Sequence, residues 1–84
     1  MNGTYTLNGN QYDLLLQDGS IHLESVDHDL IFPQGFQACK DAARSYLVSL
    51  GYGYSEAHVY EIALTYIEDY IKTEVFTTMK HENN

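Results

Sequence analysis

Short segments of alternating apolar and polar residues occupy the first third of the chain. They are separated by Asn8-Gly9 and Asp18-Gly19, which are the dipeptides that two-residue β-hairpin turns favour because both residues of such turns adopt positive φ angles. The pattern predicts a three-stranded antiparallel meander over about residues 4–26.

The two turns also determine which residues lie opposite each other in the meander. They pair Tyr5 with Tyr12 and Leu14 with Leu23, and residues that lie opposite share one face of the sheet. One predicted face is apolar and consists of Tyr5, Leu7, Tyr12, Leu14, Leu16, Ile21 and Leu23. The other face is mostly polar and consists of Thr4, Thr6, Gln11, Asp13, Leu15, Gln17, Ser20, His22, Glu24 and Val26. We expect the polar face to meet solvent or a binding partner.

A first helix is predicted over about residues 34–50. Pro33 ends the extended run Leu30-Ile31-Phe32, and the apolar residues that follow recur at helical spacing. Gly51 suits the left-handed conformation that commonly follows a helix end. Tyr52 is then placed to contact the last turn of this helix.

A second helix is predicted over about residues 56–73, with Ser55 as its N-cap. Its apolar residues cover an arc of roughly 200°, about twice the width that one-sided packing requires. They are Val59, Tyr60, Ile62, Ala63, Leu64, Tyr66, Ile67, Tyr70 and Ile71. Either the helix is central and touches both the sheet and the first helix, or part of the arc is an interface. A homodimer through Tyr60, Leu64 and Ile71 is one form of the second alternative.

The second helix also sets the predicted end of the packed structure. Glu74 falls in the middle of the extended apolar arc, so the packed part is predicted to end near Thr73. Residues 80–84 are predicted to form a frayed tail. The chain is therefore predicted to be a single α+β domain over residues 1–84, in the order β-β-β-α-α, with the meander packed on a helical hairpin.

Charge is the most informative bulk property of the chain. The 84 residues include 12 Asp and Glu but four Lys and Arg, which gives a net charge of -8. Lys40 is the first cation, so residues 1–39 contain five carboxylates and no Lys or Arg side chain. This excludes ordinary nucleic-acid binding, which needs cations to displace counterions from phosphates, and it disfavours an anionic membrane surface. A basic protein surface is the electrostatically attractive partner.

The remaining composition predicts a folded cytoplasmic protein. A hydrophobic fraction of 44% is too high for intrinsic disorder, and no apolar run approaches the roughly 18 residues of a membrane span. The polar start Met1-Asn2-Gly3-Thr4 is unlike a signal peptide. Cys39 is the only cysteine, which excludes an intramolecular disulfide and agrees with a reducing compartment. We expect it to be a small core residue.

No sequence pattern predicts catalysis. The chain lacks a Gly-rich phosphate loop, a His-Glu-x-x-His helix, a Gly-x-Ser-x-Gly turn and a paired-cysteine motif, so neither an enzyme nor a cofactor is predicted. Asp27-His28-Asp29 is the best metal candidate, with His22, Glu24 and Asp13 near it in the sequence pattern. Adjacent residues of an extended segment point to opposite sides, so this triplet does not easily form one site, and no metal site is predicted.

The acidic surface is therefore the candidate functional feature. The predicted partner-binding residues are Asp13, Asp18, Glu24, Asp27 and Asp29 in the strands and their loops, and Tyr60, Glu61, Glu68 and Asp69 on the second helix. Rigidly spaced carboxylates imitate the phosphates of a nucleic acid and attract a basic groove, and tyrosine is enriched in protein interfaces. Acidity that serves only solubility is the competing explanation.

These observations lead to two functional hypotheses. The first is a small protein-binding inhibitor or regulator, in its sharpest form a nucleic-acid mimic that blocks the basic site of a nuclease or nucleoprotein complex. The anti-restriction and anti-CRISPR proteins of phages and mobile elements act in this way, and the analogy rests on size and charge. The alternative is a small obligate subunit or antitoxin-like partner that docks through the apolar side of helix 56–73. Either way, we expect a monomer or homodimer that binds neither nucleic acid nor membrane directly.

Overall fold

Four β-strands are followed by two α-helices in the structure, a computed structural model that describes residues 2–51 and 53–82, with side-chain environments for residues 3–51 and 53–76. The elements are β1 (Asn2–Leu7), β2 (Asn10–Gln17), β3 (Ser20–Glu24), β4 (Asp29–Phe32), α1 (Gly35–Ser49) and α2 (Glu56–Glu82). The α+β class and the order of strands before helices are confirmed. The predicted count of three strands is too low by one.

Two compact units divide the chain, one of residues 1–38 and the other of residues 39–84. The first contains the four strands and the first turn of α1, and the second contains the rest of α1 and all of α2. A single domain, with the meander packed on the helical hairpin, stays a prediction.

Both predicted hairpin turns are confirmed. Asn8 and Asp18 have φ angles of 53° and 50°, and Gly9 and Gly19 have φ angles of 84° and 81°. Two consecutive residues with positive φ are the mark of a type I′ turn, whose twist matches that of the strands it joins. Asparagine, aspartate and glycine tolerate this conformation best, which is why the two dipeptides predict the turns so directly.

The register that follows from these turns is also confirmed. The strands form one antiparallel sheet in the order β1-β2-β3-β4, with Tyr5 opposite Tyr12 and Leu14 opposite Leu23. The predicted apolar face has five buried residues, which are Leu7, Tyr12, Leu14, Ile21 and Leu23. Burying an aliphatic side chain of this size contributes about 1.5–3 kcal/mol, so this face is where the sheet gains most of its hydrophobic stabilisation.

The fourth strand is the main departure from the predicted fold. The segment 29–32 pairs with β3, with Leu30 opposite Leu23 and Ile31 opposite His22. Val26, predicted to lie on the polar face of the third strand, instead lies in the turn between β3 and β4 and is fully exposed.

The turn between β3 and β4 escapes prediction because side-chain hydrogen bonds, not glycine, stabilise it. The Ser25 hydroxyl donates to the carbonyl oxygen of His28 at 2.6 Å and accepts from the His28 N–H at 3.1 Å. The Ser25 N–H donates to the same carbonyl oxygen at 3.1 Å. Serine side chains stabilise turns in this way, but the pattern is much weaker in sequence than Asn-Gly or Asp-Gly.

Helix α1 ends as the sequence predicts. Gly51 has a φ of 79°, and its N–H donates to the carbonyl oxygen of Val48 at 3.0 Å. Tyr52, with its predicted contact, lies outside the described residues. The part of α1 that belongs to the second unit has a buried residue at every fourth position. These residues are Cys39, Ala43 and Leu47.

Helix α2 begins as predicted but extends further. The Ser55 hydroxyl accepts a hydrogen bond from the His58 N–H at 3.2 Å, which is the predicted N-cap. The helix continues through Glu82, well past the predicted end near Thr73. Glu74 does not end it, and the side chain of this half-buried residue interacts with the Tyr70 hydroxyl one turn earlier.

The end of the chain lies only partly within the described residues. Residues 80–82 belong to α2, and residues 83–84 lie outside the described part of the chain. The frayed tail predicted for residues 80–84 stays a prediction.

Candidate acidic binding surface

Three carboxylates form a line across the exposed face of the sheet. Glu24 on β3 lies opposite Asp13 on β2 and also opposite Asp29 on β4, and all three residues are exposed. Because neighbouring strands are about 4.8 Å apart, the line spans about 10 Å. We call these three residues the acidic row, and Thr4 continues it onto β1.

The acidic row is electrostatically unfavourable in the isolated protein. Like charges that lie directly opposite on neighbouring strands are destabilising, and Glu24 has such a neighbour on each side. Residues 1–39 contain no Lys or Arg side chain that could offset this repulsion. Cations from outside the sheet, including those of a binding partner, would relieve it.

A less polar row lies beside the acidic row on the same face. Leu15, His22 and Ile31 lie opposite one another on β2, β3 and β4, two residues along each strand from the acidic row and therefore about 7 Å from it. Ile31 is 56% exposed. The exposed face thus offers a partner both charge and apolar contact.

The turn between β3 and β4 borders the acidic row at one end. An open groove of about 650 Å³ is lined by Thr4, Gln11, Tyr12, Asp13, Glu24, Ser25, Val26 and Asp29.

His28 is held in place by a hydrogen bond of 3.2 Å between its Nε2 and the Tyr12 hydroxyl. The two rings meet edge to face, with centroids 5.7 Å apart and planes at 86°. Tyr12 is buried, so it anchors the turn to the sheet.

The other two predicted carboxylates of the sheet occupy different places. Asp27 is exposed in the turn between β3 and β4 and lines a smaller groove of about 210 Å³ with His28. It therefore lies near the acidic row. Asp18 lies in the turn between β2 and β3, five residues along the chain from Asp13 and so about 17 Å away. The structure does not bring Asp18 to the acidic row.

The remaining predicted site residues belong to α2 in the second unit. Glu61, Glu68 and Asp69 are exposed, and Tyr60 is half-buried. The Lys72 ammonium donates to Glu68 at 2.7 Å, and this hydrogen bond and charge lower the pKa of Glu68. Glu68 is therefore already partly neutralised within its own helix, unlike the acidic row.

The apolar arc of α2 divides into a buried line and two less buried sides. The buried residues recur at every fourth position and are Val59, Ala63, Ile67 and Ile71. The half-buried residues are Tyr60, Ile62, Leu64, Tyr66 and Tyr70. Ile71, which the homodimer hypothesis includes, is 0% exposed and is therefore not a surface residue.

The described residues do not form a metal or thiol centre. Among them, no group of three His, Cys, Asp or Glu side chains is placed to hold a metal ion. Cys39 is 2% exposed, and burial raises the pKa of its thiol from 9.0 to about 11. A thiol with this pKa is protonated and unreactive at neutral pH.

Sequence reasoning named all three residues of the acidic row as partner-binding residues but placed only Asp13 and Glu24 opposite each other. The pairing of Asp13 with Glu24 follows from the Asp-Gly turn. The position of Asp29 beside Glu24, and of Ile31 beside His22, depends on β4. The sequence signal for this strand is the apolar run Leu30-Ile31-Phe32, which covers only three residues.

Comparison with protein-family models, curated proteins and solved structures found no match for this chain. In the part of the chain that the structure describes, no helix combines the length and apolar character needed to cross a membrane.

Proposed function

We propose that this chain is a small protein-binding inhibitor or regulator whose exposed sheet face docks on a basic surface of another protein. The acidic row supports this proposal, because three carboxylates lie side by side on a rigid sheet without a Lys or Arg in residues 1–39. Lysine or arginine side chains of a partner would remove the repulsion within the row. Ile31, exposed beside the row, would add apolar contact.

In its sharpest form, the proposed function is nucleic-acid mimicry. A line of carboxylates resembles a short stretch of phosphates in charge, and a net charge of -8 attracts basic grooves at long range. The partner would then be a cytoplasmic nuclease or nucleoprotein complex, whose nucleic-acid site the protein would block in the manner of an anti-restriction or anti-CRISPR protein. We propose no catalytic role.

Capture from a host lysate tests the proposal. The tagged protein is used as bait at low salt, and proteins that elute when salt is raised are identified by mass spectrometry. A basic partner that elutes steeply with salt, and that DNA or RNA displaces, is the expected result. A partner that stays bound at high salt alongside nucleic acid would contradict mimicry.

Two matched variants test which surface is used. One replaces the acidic row by Asp13→Asn, Glu24→Gln and Asp29→Asn; the other carries Glu61→Gln, Glu68→Gln and Asp69→Asn on α2. Both change the net charge equally. We expect the row variant to bind the captured partner at least about tenfold more weakly and the helix variant to bind almost normally. Equal losses would show that net charge alone governs binding.

A second candidate function uses the apolar side of α2. Tyr60 and Leu64 are half-buried, so this side of the helix keeps apolar surface for an obligate partner. Binding of this kind would be insensitive to salt. Leu64→Lys should then abolish assembly, measured by light scattering, while circular dichroism shows an intact fold. Assembly unchanged by this substitution would exclude the candidate.

A further inference from the structure

Strand β1 is an outer strand of the sheet and presents backbone groups at its open edge. In a two-residue hairpin, the residues that flank the turn exchange hydrogen bonds, and hydrogen-bonded pairs then alternate along the strands. Leu7 and Asn10 flank the first turn. The N–H and C=O groups of Asn2, Thr4 and Thr6 therefore point away from β2.

In the described sheet, no strand pairs with this edge. Thr4 and Thr6, whose backbone groups point to it, are exposed, and on the face that carries Tyr5 a Cβ atom added at Gly3 would meet no heavy atom within 4 Å. Natural sheets usually protect an open edge with a charged side chain, a proline or a bulge. β1 contains no charged residue and no proline. By contrast, β4, the strand at the other edge of the sheet, begins with Asp29.

We propose that β1 pairs with β1 of a second copy of this chain, antiparallel and about a two-fold axis. In one register, Thr4 lies opposite Thr4 of the second copy and Asn2 lies opposite Thr6 of the second copy. This register uses all the open positions of both strands, and each hydrogen-bonded pair exchanges two bonds. A shift by two residues in either direction leaves open positions unpaired.

The same register gives complementary side chains on the opposite face. It places Tyr5 of each copy opposite Gly3 of the other, so that an aromatic ring covers a residue without a side chain. Such pairs of an aromatic residue with a glycine on an edge strand stabilise sheets. The shifted registers instead place Gly3 opposite Gly3 or Tyr5 opposite Tyr5.

The charge distribution allows pairing of two copies through β1 and opposes pairing of two copies through β4. Pairing through β4 would bring Asp29 close to the same residue of the second copy. Pairing through β1 separates the two Asp13 residues by three strand spacings, about 14 Å, which exceeds the Debye length of about 8 Å at physiological salt. The second copy is therefore favoured at β1 and disfavoured at β4.

The resulting dimer has one continuous sheet of eight strands with an acidic row on each half. It goes beyond the proposed function and does not depend on it, because no partner protein is needed for it to form. Two paired edge strands bury less than the roughly 1,200–2,000 Å² of a typical stable interface. The dimer is therefore expected to be weak and to dissociate on dilution.

Sedimentation equilibrium of the full chain over a wide concentration range, up to about 1 mM, tests the proposal. The mass is expected to rise toward that of a dimer. Thr4→Lys would place two ammonium groups opposite each other across the two-fold axis, while within its own sheet the introduced lysine lies opposite Asp13 and favours the fold. We expect at least about tenfold weaker dimerisation. Ile31→Lys adds the same charge at the other edge and should dimerise like the unaltered protein.

Amide hydrogen exchange gives a readout at the edge itself. The N–H groups of Thr4 and Thr6 are expected to exchange more slowly at high than at low protein concentration, because they are hydrogen-bonded in the dimer. A chain that stays monomeric up to about 1 mM would overturn the proposal. So would a dimer that Thr4→Lys leaves intact and Leu64→Lys disrupts, since that dimer would form through α2.

Discussion

Cys39 illustrates how burial determines the chemistry of a single residue. The sequence predicts a small core residue, because a lone cysteine can form neither an intramolecular disulfide nor a thiolate cluster, and its 2% exposure confirms this. Loss of solvation disfavours the thiolate and raises the pKa to about 11. The shift makes a testable contribution to the stability of the fold.

We predict that Cys39 makes the protein less stable as pH rises from about 9 to 11. In this window the unfolded chain releases the thiol proton near its ordinary pKa of 9.0 while the folded chain retains it, so unfolding is favoured. The contribution is fully present below pH 9. Urea unfolding at several pH values, compared between the unaltered protein and Cys39→Ala, measures it. Tyrosine ionisation contributes to both curves, and curves of equal slope would contradict the prediction.

At the scale of elements, the features predicted from local sequence are those specified by strong turn and capping residues. The two type I′ turns, the β1–β2 and β2–β3 registers, the Gly51 helix end and the Ser55 cap all follow from one or two residue types at set positions. The β3–β4 turn depends on the Ser25 hydroxyl, and α2 continues past Glu74 to Glu82. Neither this turn nor the length of α2 can be predicted from composition or from the spacing of apolar residues.

The same limit applies to the candidate site. Asp13 and Glu24 were paired correctly because one Asp-Gly turn connects their strands. Asp29 joins them only through a strand that was not predicted. Asp18 is predicted with them as a carboxylate of the strands and their loops, but it lies in the turn after β2, at the far end of that strand from Asp13.

The two hairpin glycines provide a matched pair for mutation. Gly9 and Gly19 occupy the same turn position with φ angles of 84° and 81°, so alanine at either costs about 1 kcal/mol of backbone strain. A Cβ at Gly9 meets nothing within 4 Å, whereas one at Gly19 lies 3.3 Å from the Cβ of Gln37. The Gln37 N–H also donates to the Gly19 carbonyl oxygen at 2.9 Å, which limits how far the two segments can separate.

We therefore predict that Gly19→Ala lowers the free energy of unfolding more than Gly9→Ala does. The Gly9→Ala loss should be about 1 kcal/mol, and the Gly19→Ala loss should exceed it by about 1 kcal/mol because of the added crowding. Urea denaturation followed by circular dichroism measures both. Equal losses would mean that the Gln37 segment moves aside without cost.

At the scale of the whole molecule, charge acts in opposite directions on folding and on binding. The carboxylates that give the net charge of -8, among them those of the acidic row, repel one another in the free protein. Salt screens this repulsion. The same screening weakens attraction to a basic partner. Salt should therefore stabilise the fold while it releases the proposed partner.

We predict that the free energy of unfolding in urea rises with added NaCl. Urea is used because guanidinium chloride is itself a salt. The row variant with Asp13→Asn, Glu24→Gln and Asp29→Asn should show a smaller rise, because part of the repulsion is already removed. A salt response that is the same in both proteins would indicate that the acidic row contributes little to the repulsion.

The absence of Lys and Arg from residues 1–39 also determines which reagents modify the sheet. Trypsin has no cleavage site before Lys40, so digestion releases the entire sheet as one fragment. Crosslinkers that join lysine side chains to each other find none to attack in the strands. A carbodiimide, by contrast, would couple the carboxylates of the acidic row directly to lysines of a bound protein. After digestion, the partner's peptides would remain attached to that single fragment.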